Sequence, residues 1–304
     1  MNLLITGAWA GGREHGPALE AMGHSLCFLP RETDPLPCDP AWVEGVVCNG
    51  LFLHHELDSF PNLRFIQLTS AGLDRVPVDR IRRRGIDLRN ARGVYSGPMA
   101  EFALCGTLQL YKQAAFFRRN QQARRWEKHR GLRELDGSTV TVLGCGSVGT
   151  ACAERFAALG CRILGVDLYP RRDERYKTVF PLPELDALLP ETDVLLLTLP
   201  LTPETRHLLD AGRLAKLKQG AVLVNVSRGG VLEEAALIST LEEGRLSGAV
   251  LDVFETEPLP ETSPLWTMEN VILTPHNSFV GEGNARRLDG LILENLRQPA
   301  REKD

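Results

Sequence analysis

The stretch that decides the fold reads Thr139-Val140-Thr141-Val142-Leu143-Gly144-Cys145-Gly146-Ser147-Val148-Gly149. A run rich in β-branched residues leads into three glycines spaced G-x-G-x-x-G, and apolar residues then recur at helical spacing up to Gly160. This order predicts a strand, a tight turn and a helix. In such units the first glycine permits the turn, the second lets the backbone approach a pyrophosphate, and the third lets the helix pack on the strand. The stretch therefore predicts a dinucleotide-binding site.

An acidic residue supports this interpretation. Asp167 ends the next predicted strand, 23 residues after Gly144 (167 − 144 = 23). A carboxylate at this place can accept hydrogen bonds from the adenosine ribose hydroxyls and would repel a 2′-phosphate. NAD is therefore favoured over NADP, although Arg171 and Arg172 lie close by and keep NADP open as an alternative.

Short apolar runs alternate with helix-like segments along most of the chain, which is typical of parallel sheets covered by helices. The pattern predicts an α/β fold with two doubly wound parallel-sheet domains. Strands are predicted at Leu3–Thr6, Ser25–Leu29, Val46–Cys48, Leu63–Leu68, Ile86–Leu88, Thr139–Leu143, Arg162–Val166, Val194–Leu199, Ala221–Val226, Gly248–Val253 and Val271–Leu273. One helix is predicted over Arg13–Met22, and a long one from Pro98 to about Trp126 with Ser96 as its candidate cap.

The composition sets limits on function. A chain of 304 residues can form two domains, and 43% hydrophobic and 24% charged residues are typical of a globular protein. A net charge of −4 gives no general attraction to nucleic acid or to an anionic membrane. Seven cysteines without a CxxC pair indicate reduced thiols rather than a disulfide framework or a metal site. With no signal-like N-terminus and no long apolar stretch, a cytoplasmic protein that binds no metal is expected.

Two side chains after predicted strands have the chemistry to reduce a 2-oxo acid. Arg228 follows the run Ala221–Val226, and His276 follows Val271–Leu273. Ligands of parallel sheets bind beyond the carboxyl ends of the strands, so both residues are well placed. The planar guanidinium can hold a carboxylate and a carbonyl oxygen, and the imidazole can exchange a proton near neutral pH. Taken alone, an arginine at this place would more often be a structural cap or an ion pair.

The partner of the histidine is not decided by spacing. Glu255 and Glu257 are two residues apart, and either carboxylate could hydrogen-bond the ring of His276. The other histidines lie in polar or loop-like contexts, where solvated surface positions are predicted. They are His15, His24, His54, His55, His129 and His207.

Several segments in a fixed order resemble the D-isomer-specific 2-hydroxyacid dehydrogenases, and the likeness covers most of residues 60–280. The matching segments are Gly144–Gly149, Thr198–Thr205, Asn225–Gly230, Gly248–Leu259 and Thr274–His276. The resemblance implies an NAD-dependent oxidoreductase that interconverts small 2-oxo acids and D-2-hydroxy acids. It implies catalytic roles for Arg228, Glu257 and His276, and it selects Glu257 over Glu255.

The resemblance also implies binding residues. The loop Ser70–Asp74 would grip the substrate carboxylate through the amides of Ala71 and Gly72, together with Arg228. Cofactor contacts are implied at Gly144, Gly146, Ser147, Val148, Gly149, Asp167, Leu199, Pro200, Val226, Ser227 and Asp252.

Domain organisation follows from the same likeness. It implies a discontinuous, flavodoxin-like substrate-binding domain of residues 1–93 plus 281–304, and a Rossmann NAD-binding domain of residues 94–280. The segment 98–126 resembles the dimerisation element of the family, so a homodimer is expected; an ordinary core helix is the alternative. Residues 1–60 match only loosely, and they do not indicate which 2-oxo acid is the substrate.

One departure and one alternative function remain. After His276 the chain reads Asn277-Ser278-Phe279-Val280, where the family commonly has small residues including glycine, so the pocket wall is expected to differ. The alternative is a dinucleotide-sensing binding protein, like the corepressors that share this fold. The basic run Arg80–Arg84 follows Asp79 in an acidic chain, and it is predicted to be a solvated face or subunit contact rather than a nucleic-acid site.

Overall fold

The computed structural model describes residues 1–297, and these residues form two compact units. Unit 1 contains Met1–Tyr95 and the described part of the segment that begins at Gly281. Unit 2 is the continuous segment Ser96–Val280. Both units are built on a parallel sheet, which confirms the predicted α/β class with two domains.

Unit 1 contains a five-stranded sheet in the order β2-β1-β3-β4-β5, the flavodoxin-like order. The strands are β1 (Asn2–Thr6), β2 (Ser25–Leu29), β3 (Gly45–Cys48), β4 (Phe65–Leu68) and β5 (Asp87–Arg89). Helices α1 (Gly16–Ala21) and α2 (Val78–Arg83) follow β1 and β4 in the chain. The predicted helix Arg13–Met22 is too long, because the helix begins only at Gly16; Pro17, whose fixed φ suits a first turn, is its second residue.

A C-terminal helix, Asn284–Arg297, completes unit 1. Its buried Ile292 and Leu296 pack in one apolar cluster with Leu3 and Ile5 of β1. Trp9 Nε1 also donates a hydrogen bond of 2.6 Å to Asp289 Oδ1. These contacts join the end of the chain to its first strand, so unit 1 is assembled from two distant segments.

Unit 2 contains a seven-stranded parallel sheet in the order β12-β11-β10-β9-β6-β7-β8. The strands are β6 (Thr139–Leu143), β7 (Arg162–Asp167), β8 (Thr178–Pro181), β9 (Val194–Leu197), β10 (Ala221–Asn225), β11 (Leu246–Leu251) and β12 (Val271–Leu273). Strands β6, β9 and β10 are buried along their whole length, as strands covered on both faces must be. The order of the strands reverses between β6 and β9, since β7 and β8 lie on one side of β6 and β9 to β12 lie on the other. At such a switch point a crevice opens beyond the carboxyl ends of the strands.

The helices of unit 2 differ from the prediction in one respect. They are α3 (Ser96–Tyr111), α4 (Ala114–Gln122), α5 (Ser147–Ala157), α6 (Leu185–Leu188), α7 (Ala211–Leu214) and α8 (Glu234–Glu242). The single long helix predicted from Pro98 to about Trp126 is wrong, because Gln113 has a left-handed φ of 53° and interrupts the segment. Ser96 is the first residue of α3 rather than its cap, and its hydroxyl oxygen is buried without a hydrogen bond.

Three features bear on redox state, metals and membranes. All seven cysteines are free thiols. Within residues 1–297, no group of three or more His, Cys, Asp or Glu side chains is arranged to hold a metal ion. In the same residues, no helix combines the length and apolar character needed to cross a membrane.

Candidate active site

The glycine turn between β6 and α5 has the shape that a dinucleotide requires. Gly144 has a φ of +106°, and a Cβ on it would lie 2.7 Å from the backbone nitrogen of Leu199. A Cβ on Gly149 would lie 1.9 Å from the carbonyl oxygen of Gly144. A Cβ on Gly146 would have no atom within 4 Å, so open space lies above the middle glycine at the start of α5. This open space at the N-terminus of a helix, where the dipole is positive, fits a pyrophosphate.

Asp167 is the last residue of β7 and lies beside this turn. Its Oδ2 accepts a hydrogen bond of 2.7 Å from the backbone nitrogen of Cys145, and its Oδ1 accepts one of 2.9 Å from that of Tyr169. The Cys145 side chain points into the protein, and burial raises the pKa of this thiol to about 12. The carboxylate is therefore fixed at the edge of the turn, where the adenosine ribose of a bound dinucleotide would lie.

Arg228 is positioned by a turn that directly follows β10. Asn225, the buried last residue of that strand, accepts hydrogen bonds from the backbone nitrogen (3.0 Å) and hydroxyl (2.8 Å) of Ser227. Asn225 also donates from Nδ2 to the Arg228 carbonyl at 3.2 Å. The guanidinium donates from Nη1 to the Ser227 carbonyl at 2.7 Å. The amide of Asn225 therefore determines the course of the turn, a role that the sequence analysis did not assign.

Gly229, the residue after Arg228, brings two loops into direct contact. A Cβ on Gly229 would lie 1.9 Å from the carbonyl carbon of Phe254 and 2.4 Å from the nitrogen of Glu255. Only a glycine allows so close an approach between the turn after β10 and the loop after β11. This contact places Arg228 beside the segment that carries Glu257.

His276 lies on a turn that is held by a buried carboxylate. Asp252 is 1% exposed, and its Oδ1 accepts hydrogen bonds from Thr274 Oγ1 (2.6 Å) and from the backbone nitrogens of Asn277 (2.7 Å) and Ser278 (3.1 Å). His276 itself has a left-handed φ of 53°, an uncommon conformation that is found at functional sites. Asp252 was predicted as a cofactor contact, and that role stays a prediction; in the structure its carboxylate fixes the turn.

The structure pairs His276 with Glu257. His276 Nδ1 lies 2.9 Å from Glu257 Oε2, while Glu257 Oε1 accepts a hydrogen bond of 3.1 Å from the backbone nitrogen of Phe254. Glu255, which spacing left as an alternative, instead pairs with His207. His207 is exposed, as its polar context predicted, and its ring also pairs with Glu255.

A cavity of about 270 Å³ lies at these loops. It is bordered by Leu201, Arg206, Arg228, Gly229, Gly230, Phe254, Glu255, Glu257 and His276. All three predicted catalytic residues thus line one space. Arg206 was not predicted, because it lies in a polar segment with no strand end or motif to single it out.

The remaining predicted residues fall in four places. Ser147 and Val148 begin α5, Leu199 and Pro200 follow β9, and Val226 and Ser227 follow β10. Ala71 and Gly72 belong to unit 1, in the loop after β4. In that loop the Ala71 carbonyl accepts a hydrogen bond of 2.6 Å from Asn90, and the Gly72 carbonyl accepts one of 3.0 Å from Ser70.

The chain is similar to known proteins of one enzyme family. Residues 104–278 match the family model described as D-isomer specific 2-hydroxyacid dehydrogenase, NAD binding domain. A glyoxylate reductase of Thermofilum pendens is 36% identical over 249 residues, which cover 79% of this chain and 73% of that protein. The crystal structure of a D-isomer specific 2-hydroxyacid dehydrogenase from Xanthobacter autotrophicus Py2 in complex with NADPH and MES has a TM-score of 0.81 at 33% identity, covering 97% of this chain and 93% of that one. A D-lactate dehydrogenase from Aquifex aeolicus, complexed with NAD and lactic acid, has a TM-score of 0.78 at 25% identity, covering 97% and 94%.

Proposed function

Because the chain belongs to the D-isomer specific 2-hydroxyacid dehydrogenase family, we propose that Arg228, Glu257 and His276 perform its chemistry. The protein is an oxidoreductase that interconverts 2-oxo acids and D-2-hydroxy acids. A dinucleotide-sensing binding protein is not favoured, because the similar proteins are reductases and dehydrogenases. The observation that supports the catalytic assignment is the His276–Glu257 hydrogen bond at the cavity that Arg228 also lines.

The geometry supports a different role for each of the three side chains. Arg228 presents a planar cation to the cavity, suited to hold the substrate carboxylate and to polarise the adjacent carbonyl oxygen. Since Nδ1 of His276 is engaged with Glu257, Nε2 is the ring nitrogen left for substrate. In the reducing direction, Nε2 gives its proton to the carbonyl oxygen as the C–O double bond becomes single. A nicotinamide cofactor, when bound, supplies the hydride for the carbonyl carbon.

For the cofactor we propose NAD, held by the residues of the glycine turn and the strand ends. The proposed contacts are Gly144, Gly146, Ser147, Val148, Gly149, Asp167, Leu199, Pro200, Val226, Ser227 and Asp252. The fixed carboxylate of Asp167 supports NAD, since a 2′-phosphate would meet its negative charge. The ratio of kcat/KM for NADH to that for NADPH tests this preference.

Domain roles, assembly and location are part of the same proposal. Unit 1 would be the substrate-binding domain and hold the substrate carboxylate through the amides of Ala71 and Gly72. The protein would act as a cytoplasmic homodimer without nucleic-acid partners; its seven free cysteines support a reducing compartment. Sedimentation equilibrium tests the dimer.

The decisive experiment is NADH oxidation by the purified protein with a panel of 2-oxo acids. His276→Asn should lower kcat by about 10²- to 10⁴-fold, the usual contribution of a general acid, while NADH still binds. His207→Asn is the matched control, because it removes the histidine of the neighbouring His–Glu pair and should keep most of kcat. If His276→Asn kept normal turnover, the proton-donor assignment would be wrong.

A further inference from the structure

The cavity holds a second guanidinium that the proposed reaction does not use. Arg206 borders the same cavity of about 270 Å³ as Arg228 and His276. No residue of the glycine turn borders this cavity, nor does Asp167, so the space lies apart from the proposed adenosine and pyrophosphate contacts. Arg206 therefore borders the end of the site where the substrate would lie against the nicotinamide.

The backbone that carries Arg206 is firmly anchored. The hydroxyl of Thr205, which is fully buried, donates to the Pro200 carbonyl at 2.7 Å and accepts from the backbone nitrogen of Thr202 at 2.8 Å. On the other side of Arg206, the nitrogen of His207 donates to the Gly230 carbonyl at 2.8 Å. The segment is thus tied to the turn that presents Arg228, and the two arginines are held in one framework.

The other charged groups at the cavity already have partners. The carboxylate of Glu257 contacts His276, and that of Glu255 contacts His207. The side chain of Arg206 is exposed and makes no hydrogen bond or ion pair with any other described residue. A cation that faces a ligand cavity without a protein counter-ion favours a ligand that brings its own negative charge.

We propose that Arg206 determines substrate specificity by binding a second anionic group, carried on C3 of the 2-oxo acid. This inference rests on the proposed function, because it takes the 2-oxo acid head group to be held at Arg228 and His276. The distal group is a carboxylate, sulfonate or phosphate, the groups whose oxygens match the guanidinium fork. Neutral 2-oxo acids would leave Arg206 solvated and gain nothing from it.

Paired substrates test the proposal. The holoenzyme is assayed with pyruvate against oxaloacetate, and with hydroxypyruvate against phosphohydroxypyruvate, so that each pair differs by the distal charge. Arg206→Gln should lower kcat/KM for the charged member by about 10- to 100-fold, through KM, and leave the neutral member unchanged. Arg206→Lys should recover part of the loss, since the charge returns without the fork.

The control variant is Lys177→Gln. Lys177 is exposed and directly precedes β8, away from the carboxyl ends of the strands. The substitution removes one positive charge and should leave kcat/KM for both substrate pairs unchanged. Equal effects of Arg206→Gln on charged and neutral acids, or no effect on either, would overturn the proposal.

A binding measurement separates this inference from the proposed function. Calorimetry of the NAD-loaded protein compares D-malate with D-lactate, which differ by one carboxylate. Should the wild type reduce no 2-oxo acid, the proposed function fails, yet tighter binding of D-malate that is lost in Arg206→Gln still supports the role of Arg206. Equal D-malate affinity in wild type and Arg206→Gln would refute it.

Discussion

Gly229→Ala is expected to lower kcat/KM about a hundredfold, because the added methyl group has no room. The new Cβ would lie 1.9 Å from the carbonyl carbon of Phe254, whereas ordinary van der Waals contact begins at 3.4 Å. The Arg228 turn and the Phe254 backbone must therefore separate by 1.5 Å (3.4 − 1.9). Misplacing catalytic groups by about 1 Å costs about 10² in rate. This corresponds to about 2.7 kcal/mol of activation free energy.

The assay is steady-state reduction of a 2-oxo acid with NADH, with the affinity for NADH measured separately by fluorescence. NADH affinity should fall much less than kcat/KM, because the turn Gly144–Gly149, which would hold the pyrophosphate, is untouched. Gly230→Ala is the matched control: its Cβ would lie 3.1 Å from Cδ2 of Leu201, a side-chain end that can rotate away. Circular dichroism at the assay temperature checks folding, since overpacking costs about 1–3 kcal/mol of stability. Equal activity of the two variants would refute the reasoning.

Three further predictions address the site. Glu257→Gln should reduce kcat by about a hundredfold, because the imidazole of His276 loses the carboxylate that holds its Nδ1. Glu255→Gln should leave kcat unchanged, because Glu255 pairs with His207 instead, and pH–rate profiles of both variants test this. Asp167→Ala should raise KM for NADH more than for NADPH and so reduce the preference between them, as steady-state kinetics with both cofactors will measure. Iodoacetamide at pH 8 should spare Cys145 in the folded protein and label it after denaturation, because burial raises the pKa of this thiol to about 12 and keeps it neutral; mass spectrometry that found labelled Cys145 in the folded protein would contradict its burial.

The strands that are buried on both faces were predictable because burial requires continuous apolar runs. Strands β9 and β10 are examples, since every residue in them is buried. The edge strand β8, Thr178–Pro181, escaped prediction because it is half exposed and needs little apolar sequence. The break at Gln113 escaped for another reason: glutamine rarely adopts a left-handed φ, so nothing in the residue type indicates the end of α3.

The site was predictable to the extent that strand ends position it. Arg228 and His276 each follow a strand, and parallel strands bring their carboxyl ends to one edge of the sheet. The choice between Glu255 and Glu257 depends on the path of an irregular loop, which periodicity does not describe. Arg206 reaches the cavity because the neighbouring His207 is bonded to Gly230, a contact between segments that are distant in sequence.

Asn225 and Asp252, which hold the active-site turns, are both polar residues at the carboxyl end of an apolar strand. Asn225 ends β10, and Asp252 directly follows β11 and bonds to it through the Asp252 nitrogen and Asn225 carbonyl at 3.0 Å. Both are buried. The side chain of Asn225 holds the turn that follows β10, and that of Asp252 holds the turn that follows β12. A buried carboxylate is tolerated at Asp252 only because three donors satisfy it, and removing it would leave those donors without partners. A polar residue that closes an otherwise apolar strand is therefore a sequence signal for a rigid turn, and rigidity is what the His276 and Arg228 turns require to hold their side chains in place.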